Sequence, residues 1–305
     1  VSELATGPRL RQEIAWAADR LARAGLPQPR QEALALWAAI SGLGLGDAWL
    51  KADEGIDELL GARFREAVER RAAGEPRAYA AGRAGFRTLD LLVDRRVLIP
   101  RPETEGLVEL VLKEARARWP AAGAPAEGPA CSGERPSVLD LGTGSGCIAL
   151  SLALEGRFGR IVATDVSPEA LEVARANLAR LSPEPRVELR LGSWFEPVAG
   201  EQFDVIVSNP PYVAEGEYAE LDLGVRDFEP RLALVSGSDG LEATRAILGG
   251  ARDYLRSGGL LAMEVDSRRA AASARVARHS GWPAVRIERD LFGRPRYLLA
   301  TKERA

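Results

Sequence analysis

Residues 138–150 read VLDLGTGSGCIAL, an apolar run, then glycines at 142, 144 and 146, then a second apolar run. This stretch decides the fold. The segment 137–141 has the continuous apolar character of a strand covered on both faces, and the second run begins a helix. Glycines at such a strand-to-helix turn let the backbone bend tightly and approach a ligand with no Cβ in the way. The pattern repeats outward: strands are expected at 160–165, 186–191, 203–208, 259–265, 284–289 and 296–300, with helices between most of them. Ser167 and Pro168 stand as N-cap and first helical residue of SPEALEVARANLARL. Alternating β and α with buried strands predicts an α/β doubly wound, seven-stranded, mostly parallel sheet. The short link between the last two strands makes one of them antiparallel. A strand order of 3-2-1-4-5 would put the ends of the first and fourth strands on either side of the point where the order reverses.

The N-terminal part reads differently. Leu10, Ile14, Ala17 and Leu21 share a helical face that Gly25 ends, and Leu34, Trp37, Ala38 and Ser41 repeat the spacing, as do Leu60, Phe64, Ala67 and Val68. These stripes are the core of a small helical bundle, expected over 1–74 and suited to recognising a partner. GFRTLDLLVDRRVLIP, with its polar break at Asp94–Arg96, predicts a β-hairpin linker within 75–100. A helix with Leu107, Val108, Val111 and Leu112 on its apolar face then opens a domain over 101–305, interrupted by an exposed Pro/Gly/Ala-rich loop at 120–136.

Composition narrows the function. Of 305 residues 46% are hydrophobic and 28% charged, ordinary globular values. No apolar run is long enough to span a bilayer and no signal-peptide pattern opens the chain, so no membrane partner is expected. Two cysteines, Cys131 and Cys147, make no disulfide framework, and a reducing cytoplasm is the expected setting. Lys+Arg number 41 against 44 Asp+Glu, without the basic excess of a protein that grips nucleic acid through its phosphates. The single histidine, His279, lies at a helix end with a solvated surface role, which excludes a His-rich metal site and disfavours a Ser-His-Asp triad.

Two features point to a ribose-bearing ligand. Gly142, Thr143, Gly144, Ser145 and Gly146 form the glycine turn, and Asp165 closes the second strand, 19 residues after Gly146. A carboxylate there accepts two hydrogen bonds from a ribose diol, at about the ~20-residue interval of nucleotide-binding sheets. Cys147 occupies the place of the third glycine of a dinucleotide fingerprint, which sets S-adenosylmethionine ahead of NAD. The fourth strand ends in SNPPY, residues 208–212. Prolines lack the N–H of a central ladder, so they end the strand; an ordinary turn is the simpler account of them in isolation. Placed beside the glycine turn, the same residues lie at the reactive end of a bound nucleotide.

NPPY after this strand resembles the motif of class I methyltransferases that act on planar nitrogens, either exocyclic amines of bases or the amide of glutamine. The chain is more closely similar to one group among them, the peptide chain release factor N5-glutamine methyltransferases. The likeness rests on RRAAGEPRAY, VLIPRPETE (97–105), VLDLGTGSG (138–146), VSNPPYV (207–213), VRDFEPRLAL (225–234) and RDLFGRPRY (289–297). It implies a bacterial release factor as protein substrate, methylated on the glutamine of its Gly-Gly-Gln loop, with S-adenosylmethionine as donor and no metal. By the same resemblance Gly142–Gly146, Asp165, Trp194 and Asn209 bind the donor. Asn209, Pro210, Pro211 and Tyr212 hold the glutamine: the Asn209 side-chain carbonyl and Pro210 backbone carbonyl accept its N–H hydrogens, Pro211 stiffens the turn, and Tyr212 stacks on the flat group. Asn209, Pro210 and Tyr212 are thus the expected catalytic residues, in a monomer that holds no stable nucleic acid. Ser193 stands where the family often has an acidic residue, MEVDSRR (263–269) departs from its EIG-x-x-Q pattern, and GFRTL lacks a glycine after Phe86. Two alternatives stay open: a nucleic-acid amine methyltransferase, such as an N6-adenine enzyme, and a non-catalytic S-adenosylmethionine-binding module.

Overall fold

The computed structural model describes residues 8–50, 53–120, 135–184 and 186–303. Cys131 and most of the loop expected at 120–136 lie outside the described residues. In chain order the elements begin with α1 (Leu10–Arg23), α2 (Pro29–Ser41), α3 (Leu45–Leu50), α4 (Glu58–Ala72) and α5 (Arg77–Ala81), then β1 (Arg83–Phe86), β2 (Leu89–Leu92) and α6 (Pro102–Arg118). They continue with β3 (Ser137–Leu141), α7 (Cys147–Glu155), β4 (Arg160–Asp165), α8 (Pro168–Leu181), β5 (Val187–Leu191), β6 (Phe203–Ser208) and α9 (Leu223–Arg226). The chain closes on α10 (Glu242–Tyr254), β7 (Leu255–Glu264), α11 (Ala270–His279), β8 (Ala284–Arg289) and β9 (Pro295–Thr301).

The chain divides into two compact units. One comprises residues 1–84, 92–95 and 222–229; the other comprises 85–91, 96–221 and 230–305. In the first, the stripe Leu10, Ile14, Ala17 and Leu21 of α1 packs with Leu36, Trp37 and Ile40 of α2 and with Phe64, Ala67 and Val68 of α4. Trp37 and Phe64 meet edge to face at 5.3 Å, the arrangement that ring quadrupoles favour. Asp57 caps α4 by accepting from the Leu60 N–H, and Gly25 stops α1 with φ +78. Within this unit Glu75 is buried and accepts from Arg70 and Arg95, and the Arg70 hydrogen bond holds its carboxyl below the usual range. Residues 222–229 fall in this unit although they lie more than a hundred residues beyond the rest of it, so no boundary drawn along the sequence finds them.

The hairpin turns at a different place from the polar break at 94–96. Its strands are β1 and β2, and the turn falls at Arg87–Thr88. Arg87 takes φ +52, unusual for a side chain with Cβ. Its ties outweigh that cost: the Arg87 N–H donates to Glu105, and the guanidinium donates to Glu155 and Glu109. Those partners, 18 to 68 residues away, are invisible to local pattern.

The second unit holds a seven-stranded sheet in the order β5-β4-β3-β6-β7-β9-β8. The pairs among β5, β4, β3, β6 and β7 are parallel, whereas β9 runs antiparallel to both β7 and β8. Numbered along this sheet the order is 3-2-1-4-5-7-6, so the expected reversal between the first and fourth strands is present. Apolar side chains leave both faces of the central strands β3, β4 and β6, which is why these read as mostly apolar runs. Val138, Ile161, Val205 and Leu260 pack under α6 and α7, whereas Leu139, Val162, Ile206 and Leu261 pack with Ile247, Leu248 and Ala277 from α10 and α11. His279 ends α11 on the surface. Among the described residues, no helix is long and apolar enough to cross a membrane.

Gly106 in α6 shows how tightly this helix seats on the sheet. A Cβ there would lie 2.2 Å from the Tyr297 hydroxyl, which donates to the Glu103 carbonyl at 2.6 Å. Gly106→Ala is therefore expected to displace a buried ring and destabilise the fold by about 1–3 kcal/mol, despite alanine's better helix propensity. Urea denaturation checks this, and an unchanged midpoint would refute it.

Candidate active site

The register of the parallel strands brings three sequence-distant ends together. Leu141 pairs with Thr164 on one side and with Ser208 on the other, and the Ser208 hydroxyl donates to the Leu141 carbonyl. Gly142 and Asn209, which follow β3 and β6, thus stand at one carboxyl edge with Asp165, which ends β4. They open onto a cavity of about 420 Å³, lined also by Val97, Leu98, Pro100, Arg101, Trp194 and residues from the segment around 230–236.

The glycine turn is built for close approach. Gly142, Gly144 and Gly146 have φ of +69, +54 and +84, a region costly for residues with Cβ. At Gly142 and Gly144 a Cβ would meet nothing within 4 Å; both positions border the cavity, so side chains there would fill space a ligand could use. Gly146 is different: it N-caps α7, packs against Leu150 and Ala174, and is not among the lining residues. Asp165 holds the turn from the next strand, its Oδ2 accepting from the Gly144 N–H at 2.8 Å and its Oδ1 from the Ser167 N–H at 2.9 Å. Burial raises its carboxyl above the ordinary range against those two hydrogen bonds. Thr143 and Ser145 also line the cavity, and Thr143 donates to buried Asp140, whose carboxyl burial pushes up to about 7. The bare glycine edge and the Asp165 carboxylate fit the ribose and backbone of an S-adenosyl ligand.

Trp194 borders the same cavity, with φ +42 and its carbonyl accepting from Thr164. Ser193 lines the cavity beside it, its N–H donating to Glu196.

In the NPPY turn Asn209 and Pro211 line the cavity; Pro210 and Tyr212 do not. That alternation is what an extended chain produces. Tyr212 directs its hydroxyl to Glu264 at 3.4 Å, and burial pushes its pKa up, holding it protonated. Beyond it Val213 is pinned on both sides, its N–H donating to the Leu234 carbonyl and its carbonyl accepting from the Ser236 N–H. Asn209 Nδ2 donates to Thr104 Oγ1 at 2.9 Å, and Thr104 Oγ1 donates to Glu264 Oε2 at 2.7 Å. Burial pushes the Glu264 carboxyl up to about 7. Sequence reasoning passed over both Thr104 and Glu264. The one local signal is a lone carboxylate inside the apolar strand LLAMEV. Among the described residues, no group of three or more His, Cys, Asp or Glu could hold a metal ion.

Comparison with known proteins agrees with this architecture. Residues 131–225 match the methyltransferase small domain and residues 12–82 the PrmC N-terminal domain. A release factor glutamine methyltransferase of Cereibacter sphaeroides is 40% identical over 284 residues, 93% of this chain and 95% of the relative. One of Moorella thermoacetica is 40% identical over 294 residues, 95% and 98%. Among solved structures, a methyltransferase from Pyrococcus furiosus superposes on 72% of this chain and 91% of its own with a TM-score of 0.50 at 21% identity, a likeness of fold alone. With a methyltransferase sheet, a helical N-terminal unit and relatives that match it nearly end to end, the chain belongs to the release factor glutamine methyltransferase family.

Proposed function

We propose that this protein transfers a methyl group to the side-chain amide nitrogen (N5) of the glutamine in the Gly-Gly-Gln loop of a bacterial peptide chain release factor, acting as a monomer in the cytoplasm. The observation that carries the reading is that Asn209 of the rigid turn and Gly142, Gly144 and Asp165 border one cavity. S-adenosylmethionine, when bound, supplies an electrophilic methyl on a cationic sulfur. Thr143, Ser145 and Trp194 complete its expected enclosure, Trp194 offering a flat face to the adenine.

The chain's own contribution is to aim the nucleophile. An amide nitrogen is poor because its lone pair is delocalised into the carbonyl. Hydrogen bonds donated by its two N–H groups to Asn209 Oδ1 and the Pro210 carbonyl would draw electron density onto nitrogen and fix its direction. Pro210 and Pro211 hold these acceptors before substrate arrives, so little reorganisation accompanies reaction. The new N–C bond would form as the donor's methyl–sulfur bond breaks with its electron pair staying on sulfur, and the nitrogen would give one N–H proton to solvent and end neutral. The N-terminal helical unit is the expected docking element for the release factor.

A labelled-methyl assay offering release factor, DNA and RNA side by side tests this. Label is expected on release factor alone and absent when its Gly-Gly-Gln glutamine is replaced. Label on nucleic acid alone would reject the reading in favour of a base methyltransferase.

A further inference from the structure

The Asn209 amide can sit in its socket two ways, with Nδ2 or with Oδ1 against Thr104, and the two differ in what they show the cavity. The hydroxyl of Thr104 carries one hydrogen, and the 2.7 Å contact to Glu264 Oε2 takes it. An ionised carboxylate can only accept, so Thr104 must donate to it and has only a lone pair left for Asn209. Nδ2 therefore faces Thr104, as found at 2.9 Å, and Oδ1 is the end left for the substrate. We propose that Glu264, acting through Thr104, sets which end of the Asn209 amide faces the cavity and so serves as a positioning residue for the substrate nitrogen. This rests on the methyl-transfer reading above for its consequence, though the relay itself does not require a substrate.

Protonation reverses the chain. A proton on Glu264 Oε2 makes it a donor to Thr104 Oγ1, which frees the Thr104 hydrogen to point at Asn209. The amide then turns Oδ1 to Thr104 and Nδ2 to the cavity, where it meets the substrate's own N–H donors. The groups facing Glu264 come from several elements. Arg296 on β9 favours its charge and Glu103 on α6 opposes it, while Thr104 and Tyr212 donate to it; burial outweighs these and carries it up to about 7. Tyr297 on β9 and Cys147 on α7 also feel its charge, but each is itself pushed up to about 12 and stays protonated throughout. Glu264 is thus the titrating member of the relay.

The chain has two asparagines, Asn177 and Asn209, so the full-length protein labelled with 15N-asparagine shows two side-chain NH2 groups. Asn209→Ala identifies the Asn209 pair. Without any substrate, that pair is expected to shift with an inflection at about 7, which Glu264→Gln removes; Asn177, bonded to the Ser145 carbonyl, stays flat. In methyl transfer to release factor, kcat is expected to fall about tenfold per pH unit on the acid side of the same inflection. Glu264→Gln levels that limb. Thr104→Val lowers kcat about 10²-fold with little change in donor KM, the scale of a misdirected reacting group, and Thr104→Ser restores most of it. An Asn209 signal flat from about pH 5 to 8, an inflection surviving in Glu264→Gln, or a Thr104→Val kcat within twofold of wild type would each overturn the relay. If the inflection behaves as expected while no methyl reaches release factor, the relay stands and the functional reading fails.

Discussion

Asn209→Ala lowers turnover on release factor by about 10²–10³-fold, the loss that follows removal of one pre-aimed hydrogen-bonding group from a reacting centre. The side chain lies at the cavity with one amide end committed to Thr104, so a single oxygen remains for the substrate amide. Truncation removes that oxygen and lets the flat –NH2 group rotate away from the attack line. Because that acceptor acts mainly once the nitrogen is being made nucleophilic, kcat falls more than substrate KM rises. Single-turnover transfer of labelled methyl at saturating donor measures it. Turnover within about threefold of wild type would take Asn209 out of the mechanism, since the loss expected from one such group is far larger.

Asp165→Ala weakens S-adenosylmethionine binding by at least about 10²-fold. The carboxylate accepts from two backbone N–H groups, one in the glycine turn and one at the start of α8, and it borders the cavity. Hydrogen bonds to a charged group contribute about 1.5–3 kcal/mol each, so losing the turn's anchor together with the expected ribose acceptor costs about 3 kcal/mol or more, above the ~2.8 kcal/mol of a hundredfold change. The two losses are coupled and do not simply add. Titration calorimetry with S-adenosylmethionine reads the effect directly. An Asp165→Asn variant, which keeps one acceptor oxygen, is expected to fall between; equal affinity in all three proteins would remove Asp165 from the binding site.

The legible parts of this protein share a cause. Strands buried on both faces are apolar at most positions, so β3, β4, β6 and most of β7 could be read without knowing their partners. The cap at Ser167 and the first-turn Pro168 are local chemistry, and Ser167 does accept from the Ala170 N–H. Where local chemistry is silent the reading slipped. Nothing near Arg87 tells of Glu155, so the sequence shows the hairpin and a polar break at 94–96 but not the turn at Arg87–Thr88. The start of β7 at Leu255, directly after α10, was read four residues late because no turn residue separates helix from strand.

The candidate site divides the same way. Its glycines, Asp165 and the NPPY turn were visible because each needs an unusual backbone or a bare carboxylate at a strand end, which are properties of single positions. Thr104 and Glu264 were not visible, because their role is a contact across 160 residues of chain. The amino-acid order alone determined the alternation of elements and the family to which the chain belongs. Only the tertiary structure decided which residues of that family pattern touch, that Tyr212 turns to a buried carboxylate, and which end of an asparagine faces outward. A hydrogen bond's direction depends on every partner in its chain, and those partners are chosen by packing rather than by sequence neighbours.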